Sequence, residues 1–134
     1  MAKSSGMGMT IAVDDSSGTV RSISNDFLTA DFGTPRGAQD ITGINSSAME
    51  RLLLLADFSI SLNGVFNPAS NTAHDVFKTV PSTSVNRTVT ITVSAKVLAN
   101  ETLFTDYQLK RAANGSFMFT APGALADGAV PTWT

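Results

Sequence analysis

The sequence has no cysteine, one histidine, one tyrosine and one tryptophan. Without cysteine, neither disulfides nor a thiolate metal site can hold the chain together. With His74 as the sole imidazole and no thiol, few routes to general-base or covalent catalysis remain. No G-x-S-x-G, H-E-x-x-H or dinucleotide-binding glycine pattern occurs. The eleven carboxylates fall mostly in turns and on strand faces. The reading is therefore of a protein that is not an enzyme and holds no metal or cofactor. Charge is also scarce: the net value is −2. Residues 1–67 carry four basic against seven acidic groups, and residues 68–134 five against four. Such a chain lacks the basic cluster that tight nucleic-acid binding uses. No apolar run approaches the roughly 18 residues that span a membrane. The start, MAKSSGMGMT, lacks the apolar stretch of a signal peptide. The expectation is a protein made inside the cell and without a membrane partner.

What is abundant is serine and threonine, 31 residues together, with β-branched residues crowding short alternating segments. At 134 residues the chain can bury a core as one domain without staples. It shows no internal repeat, linker or low-complexity block. Ile41–Phe66 is its most informative stretch. Four consecutive leucines, Leu52–Leu55, are its most apolar point. From Asp57 the pattern alternates, with Phe58, Ile60 and Leu62 on one side and Asp57, Ser59, Ser61 and Asn63 on the other. That period of two marks a strand with one buried and one wet face. Four adjacent leucines cannot all face one way, so the segment is either buried all round or covered by another chain.

The remaining elements follow from local chemistry. Thr10–Val13 and Thr19–Ser24 flank Asp14-Asp15-Ser16-Ser17-Gly18, a turn sequence that predicts a hairpin. The paired aspartates there read as turn formers, not as a cation site. Asn25–Asp40 reads as irregular, with a GTPRG loop carrying Arg36 at its tip but lacking the Lys-Ser/Thr pair of a phosphate loop. Ser47 and Glu50 fit a capping box and predict one or two helical turns over Ala48–Leu55. Asn67-Pro68 predicts the start of a helix ended by Pro81, with Ala69, Ala73, Val76, Phe77 and Val80 as its apolar stripe and His74 at the rim. Arg87–Leu98 predicts one strand and Leu103–Arg111 another, joined across Ala99-Asn100-Glu101. Asn114-Gly115 predicts a type I′ turn into Ser116–Ala121. Residues 1–9 read as a flexible arm and residues 122–134 as an extended tail that docks Trp133 on its own domain or on a neighbour.

Several stretches in order resemble the major tail tube proteins of long-tailed, siphovirus-type bacteriophages. They are TIAVDDSSGTVRSISND, then TPRGAQDITGINSSAMERLLLLADFSISLNGVFNPA, then TLFTDYQLKRA and GSFMFTAPGALADGAVPTWT. The match is colinear over nearly the whole chain; Ser22 stands where a longer apolar residue is expected in the first hairpin. The resemblance implies a mainly β fold with one flanking α-helix, built as a two-sheet β-sandwich or partly closed barrel of the phage tail tube type. It implies a structural virion protein made in the host bacterial cytoplasm. Six copies would form a ring, one sheet from each joining a continuous barrel. Rings would stack helically into the tail through which DNA is ejected without specific binding. A tape measure, a tail terminator and a tail tip would be its partners. A net charge of about −12 per six-copy ring fits such a channel, because it repels phosphate. The competing readings are a capsid decoration protein and a tail terminator or adaptor that forms one ring and stops; a carbohydrate-binding sandwich is disfavoured by the few aromatics.

Candidate lumen-facing residues are the polar strand faces, Asp57, Ser59 and Ser61, or Thr88, Thr90, Thr92 and Ser94. Only one of these faces needs to line the lumen. Candidate inter-subunit contacts are Met7, Met9, Arg36, the segment Met49 to Leu55 with Arg51 and Leu53, and Trp133.

Overall fold

The computed structural model describes residues 3–134. In chain order the elements are β1 (Thr10–Asp14), β2 (Val20–Ser22), β3 (Phe27–Gly33), β4 (Arg36–Asp40), β5 (Arg51–Ala56) and β6 (Ser59–Val65), then α1 (Ala73–Phe77). After the helix come β7 (Arg87–Val93), β8 (Lys96–Phe104), β9 (Gln108–Arg111) and β10 (Phe117–Leu125). Eight strands form one antiparallel sheet in the order β2-β1-β7-β8-β10-β6-β3, with β9 branching off β10, while β4 and β5 form a separate ribbon. This is a mainly β fold with one short helix among the described residues, and its path ends at β2 and β3 without closing into a barrel.

The two arms of the sheet fold over one another because each has one apolar face. Ile11, Val13, Val89, Ile91 and Leu98 from one arm join Ile60, Leu62, Phe119 and Ala121 from the other in a single buried cluster. The alternation seen in Phe58–Leu62 is carried into the structure: Phe58, Ile60 and Leu62 are buried. The helix plugs one end of this sandwich, with Phe77 against Phe104 at 5.0 Å and Phe119 at 5.9 Å between ring centroids.

The first turn forms as its residues demand. The carboxylate of Asp15 accepts from the Ser17 and Thr19 amides, both at 3.0 Å, and from Arg21 Nε at 3.1 Å. Gly18 supplies a φ of +86°. These bonds, led by the Ser17 hydroxyl at 2.7 Å, hold the Asp15 carboxyl down at about 2. Gly64 is required for a different reason. A Cβ there would lie 2.1 Å from the Asp26 carbonyl oxygen and 2.7 Å from the Phe119 ring. Buried Asp26 in turn accepts from Asn67 Nδ2 at 2.8 Å and from the Ala73 amide at 3.0 Å, so it caps the helix from a distant loop.

Several expectations are corrected. The Asn25–Asp40 region is not irregular: it forms β3 and β4 around Thr34-Pro35. Ala48–Leu55 is not helical, because Arg51–Ala56 pairs with β4 as a strand. Pairing across the ribbon outweighs a capping box that has too few residues behind it to nucleate a helix. The helix begins at Ala73, not at Asn67-Pro68, since the Asn67 side chain is used by Asp26 and by the Ala69 amide at 3.1 Å. The segment Arg87–Leu98 is two strands joined at Ser94-Ala95, whose φ values are +50° and +67°. Such a two-residue turn normally announces itself with Asn or Gly, and Ser-Ala gives no such signal. Ala99-Asn100-Glu101 then lies within β8, with Asn100 turned inward. In the segment Leu103–Arg111, Leu103 and Leu109 are exposed and Phe104 is buried.

The later turn at Asn114-Gly115 is not type I′. Only Gly115 has positive φ, +93°, and its amide bonds the Ala112 carbonyl at 2.9 Å, a type I turn followed by a left-handed glycine. The last strand takes in Pro122–Leu125, which the sequence reading gave to the tail. Pro122 is tolerated mid-strand because β10 changes neighbours there: residues 117–120 pair with β9 and residues 123–125 with β8. The Met7–Met9 end of the arm is turned, with the Met9 amide bonded to the Gly6 carbonyl at 3.1 Å; Met1 and Ala2 lie outside the described residues.

Candidate functional site

No enclosed catalytic constellation appears among the described residues, which contain no cluster of metal-ligating side chains and no helix long and apolar enough to cross a membrane. What distinguishes this molecule is its outer surface. The β4–β5 ribbon leaves the body at Thr34-Pro35 and returns at Asp57. Among the described residues its strands pair only with each other, and every residue in them is exposed except half-buried Ala56. Leu52, Leu53 and Leu54 are about half exposed and Leu55 is 90% exposed; at the tip, Ile44 is fully exposed. An isolated two-stranded ribbon is marginal in water, and here it displays an apolar surface that the described residues leave uncovered.

The ribbon is nevertheless well specified at both ends. At its base Arg36 Nε donates to the Leu54 carbonyl at 2.8 Å beside a register shift, and the Asp57 amide donates to the Pro35 carbonyl at 3.0 Å. At its tip the Ile41 amide bonds the Glu50 carbonyl at 3.0 Å, and the Glu50 amide bonds Thr42 Oγ1 at 2.8 Å. Hydrogen bonds from Thr42 hold the Asp40 carboxyl below its usual range. Between the ribbon and the C-terminal segment runs an open apolar groove of 770 Å³ lined by Arg36, Gly37, Leu53–Ala56 and Val130.

The structure brings some predicted contact residues together and separates others. Arg36, Met49, Arg51 and Leu53 share the ribbon. Met7 is exposed elsewhere, and Met9 packs against the core. Trp133 docks on its own chain: it bridges Leu98, while Thr134 and Val97 exchange backbone bonds at 2.9 and 3.0 Å. Its ring lies 6.2 Å from that of Phe32 and remains 47% exposed. Sequence reasoning missed Ile44 and Val130 as exposed apolar groups; both sit in loop sequence, where no periodicity flags a side chain.

The predicted polar faces occupy different arms of the sheet, and both point away from the core. Ser59 and Ser61 share the outward face of β6 with Asn63, whose Oδ1 accepts from Thr120 Oγ1 at 2.7 Å. Thr88, Thr90 and Thr92 share the outward face of β7, where Thr88 bonds Glu101. Asp57 precedes β6, and Ser94 lies in the β7–β8 turn against Ser4. His74 is half-buried between Phe66 and Tyr107, 3.1 Å from the Tyr107 hydroxyl, and burial pushes that phenol up to about 12.

No family model and no curated protein sequence matches the chain. Solved structures do. A chain in the tail of an empty gene transfer agent particle, refined helically with C6 symmetry, superposes with a TM-score of 0.79 at 19% identity, covering 99% of both chains. A chain of the native gene transfer agent virion gives 0.78 at 17% identity, again over 99% of each. A chain of the six-fold symmetrised anti-feeding prophage baseplate gives 0.70 at 11% identity, over 100% of this chain and 97% of that one. The fold is thus one found end to end in chains of phage-tail-like particles, in agreement with the architecture that the sequence resemblance implies.

Proposed function

We propose that this chain is the structural subunit of a tail tube. Copies close into hexameric rings, rings stack helically, and the enclosed bore conducts DNA during infection without gripping it. The observation that carries this reading is the β4–β5 ribbon, a hydrogen-bonded arm whose leucines are left uncovered by the described residues and which therefore calls for a surface on a neighbouring copy. Whole-chain likeness to subunits of six-fold tail particles supports it. The chain acts as one tube domain in the virion. A tape measure, a terminator and a tail tip are its other partners, and no chemistry is required of it.

Negative-stain electron microscopy of concentrated protein, with antibody labelling of intact particles, tests the proposal. Hollow tubes or stacked rings of uniform width, and label along the whole tail, are the expected results. Rings that never stack would instead indicate a terminator or adaptor. Label confined to the capsid would indicate a decoration protein and end the tube reading.

A further inference from the structure

We propose that the subunit encloses a binding site for one internal water molecule, held between the side chains of Asn100 and Thr102 on the inner face of β8. The inference goes beyond the tube reading and does not depend on how copies assemble. Strand β8 alternates, and the residues it buries are Leu98, Asn100, Thr102 and Phe104. Leucine and phenylalanine suit that face; an amide and a hydroxyl do not. Asn100 is 8% exposed and Thr102 is fully buried, yet Asn100 Nδ2 and Thr102 Oγ1 have no hydrogen-bond partner among the described residues. Two residues apart on one strand, the side chains are neighbours on the same face.

An unpaired polar group in a core is costly, and buried side chains of this kind are normally satisfied by protein or by ordered water. The protein neighbours are apolar or engaged elsewhere. The register sets Val89 opposite Asn100 and Arg87 opposite Thr102. The Arg87 guanidinium donates to the Asp14 carbonyl at 3.2 Å and to Thr79 Oγ1 at 2.8 Å. On the other side of β8, Leu125 stands opposite Thr102 and the Ala126 amide donates to the Glu101 carbonyl at 3.0 Å. The chain then swings out and returns only where Trp133 meets Leu98. A Cβ on Gly123 would lie 2.8 Å from Thr102 Cγ2, so it is the methyl of Thr102, not its hydroxyl, that lies nearest this part of β10.

The swing of the chain supplies a route. Between β8 and the departing segment lies a recess of 190 Å³ lined by Asn100 together with Glu101, Asp127 and Val130. A water, whose share of liquid volume is about 30 Å³, passes such an opening. Water also suits the two groups better than an ion does. It can accept from the amide N–H and donate to the hydroxyl at once, as bridging waters do. The one buried charge nearby, on Arg87, already has Asp14 and Asp15 around it, so no added anion is called for. Two neutral groups without a carboxylate offer no cation site. Bridged in this way, Asn100 and Thr102 tie together the stretch where β8 exchanges β10 for the C-terminal segment.

Two substitutions and one map test the site. With a bridging water both polar groups are satisfied, so Thr102→Val and Asn100→Leu should each lower the urea midpoint of unfolding. The double variant should regain much of the loss, because it leaves neither group without a partner. In a crystal or cryo-electron map that resolves solvent, a peak should lie within hydrogen-bonding distance of both Asn100 Nδ2 and Thr102 Oγ1, and it should be missing from Thr102→Val. Should Asn100→Leu fail to fold, Thr102→Val, which keeps the side chain's shape, and the map still decide. A midpoint unchanged or raised by Thr102→Val, or a solvent-resolving map without the peak, would overturn the proposal. Replacement of the peak by bromide in an anomalous difference map would assign the site to an anion and overturn it as well.

Discussion

Strands β5 and β6 follow one another directly and have opposite fates. In β6 and the residue before it, every second side chain from Phe58 to Leu62 is buried in the subunit. In β5, Leu52 through Leu55 are all exposed. The difference lies in pattern: alternation lets one strand serve an inner and an outer face, whereas an unbroken apolar run puts hydrophobic groups on both faces of a ribbon. On a central strand of a parallel sheet such a run would be buried by its own chain. On a two-stranded arm it stays exposed, and on the proposed reading it is what a neighbouring copy covers. The first strand builds the subunit's core; the second lies outside it.

The sharpest way to break this comparison is the same substitution in both regions. Gly64→Ala drives a methyl into the Asp26 carbonyl and the Phe119 ring and should cost at least about 3 kcal/mol in urea denaturation, or prevent folding. Gly37→Ala on the ribbon meets only the Leu54 side chain, at 3.2 Å, and should change stability by less than about 0.5 kcal/mol. Equal losses would show that the ribbon is as much part of the core as β6.

Truncating leucines extends the test. Leu62→Ala should destabilise the subunit by roughly 2–5 kcal/mol. Leu55→Ser should leave monomer stability within about 0.5 kcal/mol yet reduce the polymer seen by sedimentation velocity. An unchanged polymer fraction would remove the ribbon from the assembly contact. Asp26→Ala should cost about 1–3 kcal/mol, since it leaves the Ala73 amide and the Asn67 side chain without their acceptor.

The smallest effect concerns acid. The folded Asp15 carboxyl titrates at about 2, below its ordinary 3.8, so its contribution is present above pH 3.8 and lost as pH falls from 3.8 towards 2. Because the turn is wetted by solvent, the loss should be of order 1 kcal/mol. Asp15→Asn should flatten that part of the stability–pH profile, and an unaltered profile would assign the acid sensitivity to another carboxylate.

Much of the body was legible from residues alone. Asp15, Ser17 and Gly18 specify their turn locally, and the alternation from Phe58 to Leu62 specifies a half-buried strand. Errors gathered where a local signal competed with a distant partner. Ser47 and Glu50 promised a helix, but Gln39 and Asp40 pair with Leu52 and Arg51. Asn67 promised a cap, but Asp26, 41 positions away, takes its side chain. The candidate surfaces were legible as sets of residues, since Ser59, Ser61, Thr88 and Thr90 follow from period two. Which face belongs to a sheet with two open edges was not, because that depends on strand order.

The sequence by itself determined the secondary-structure class, the buried stripes, the first turn and the improbability of a cysteine- or histidine-based site, because each depends on residue type and short-range spacing. Only the tertiary structure decided that the leucine run is an exposed ribbon, that Asp26 caps the helix and that β10 exchanges β9 for β8 at Pro122. It also decided that β3 and β9 are left as free antiparallel edges. Each of these depends on which distant segment pairs with a given backbone group in the folded chain, and no local pattern encodes that competition.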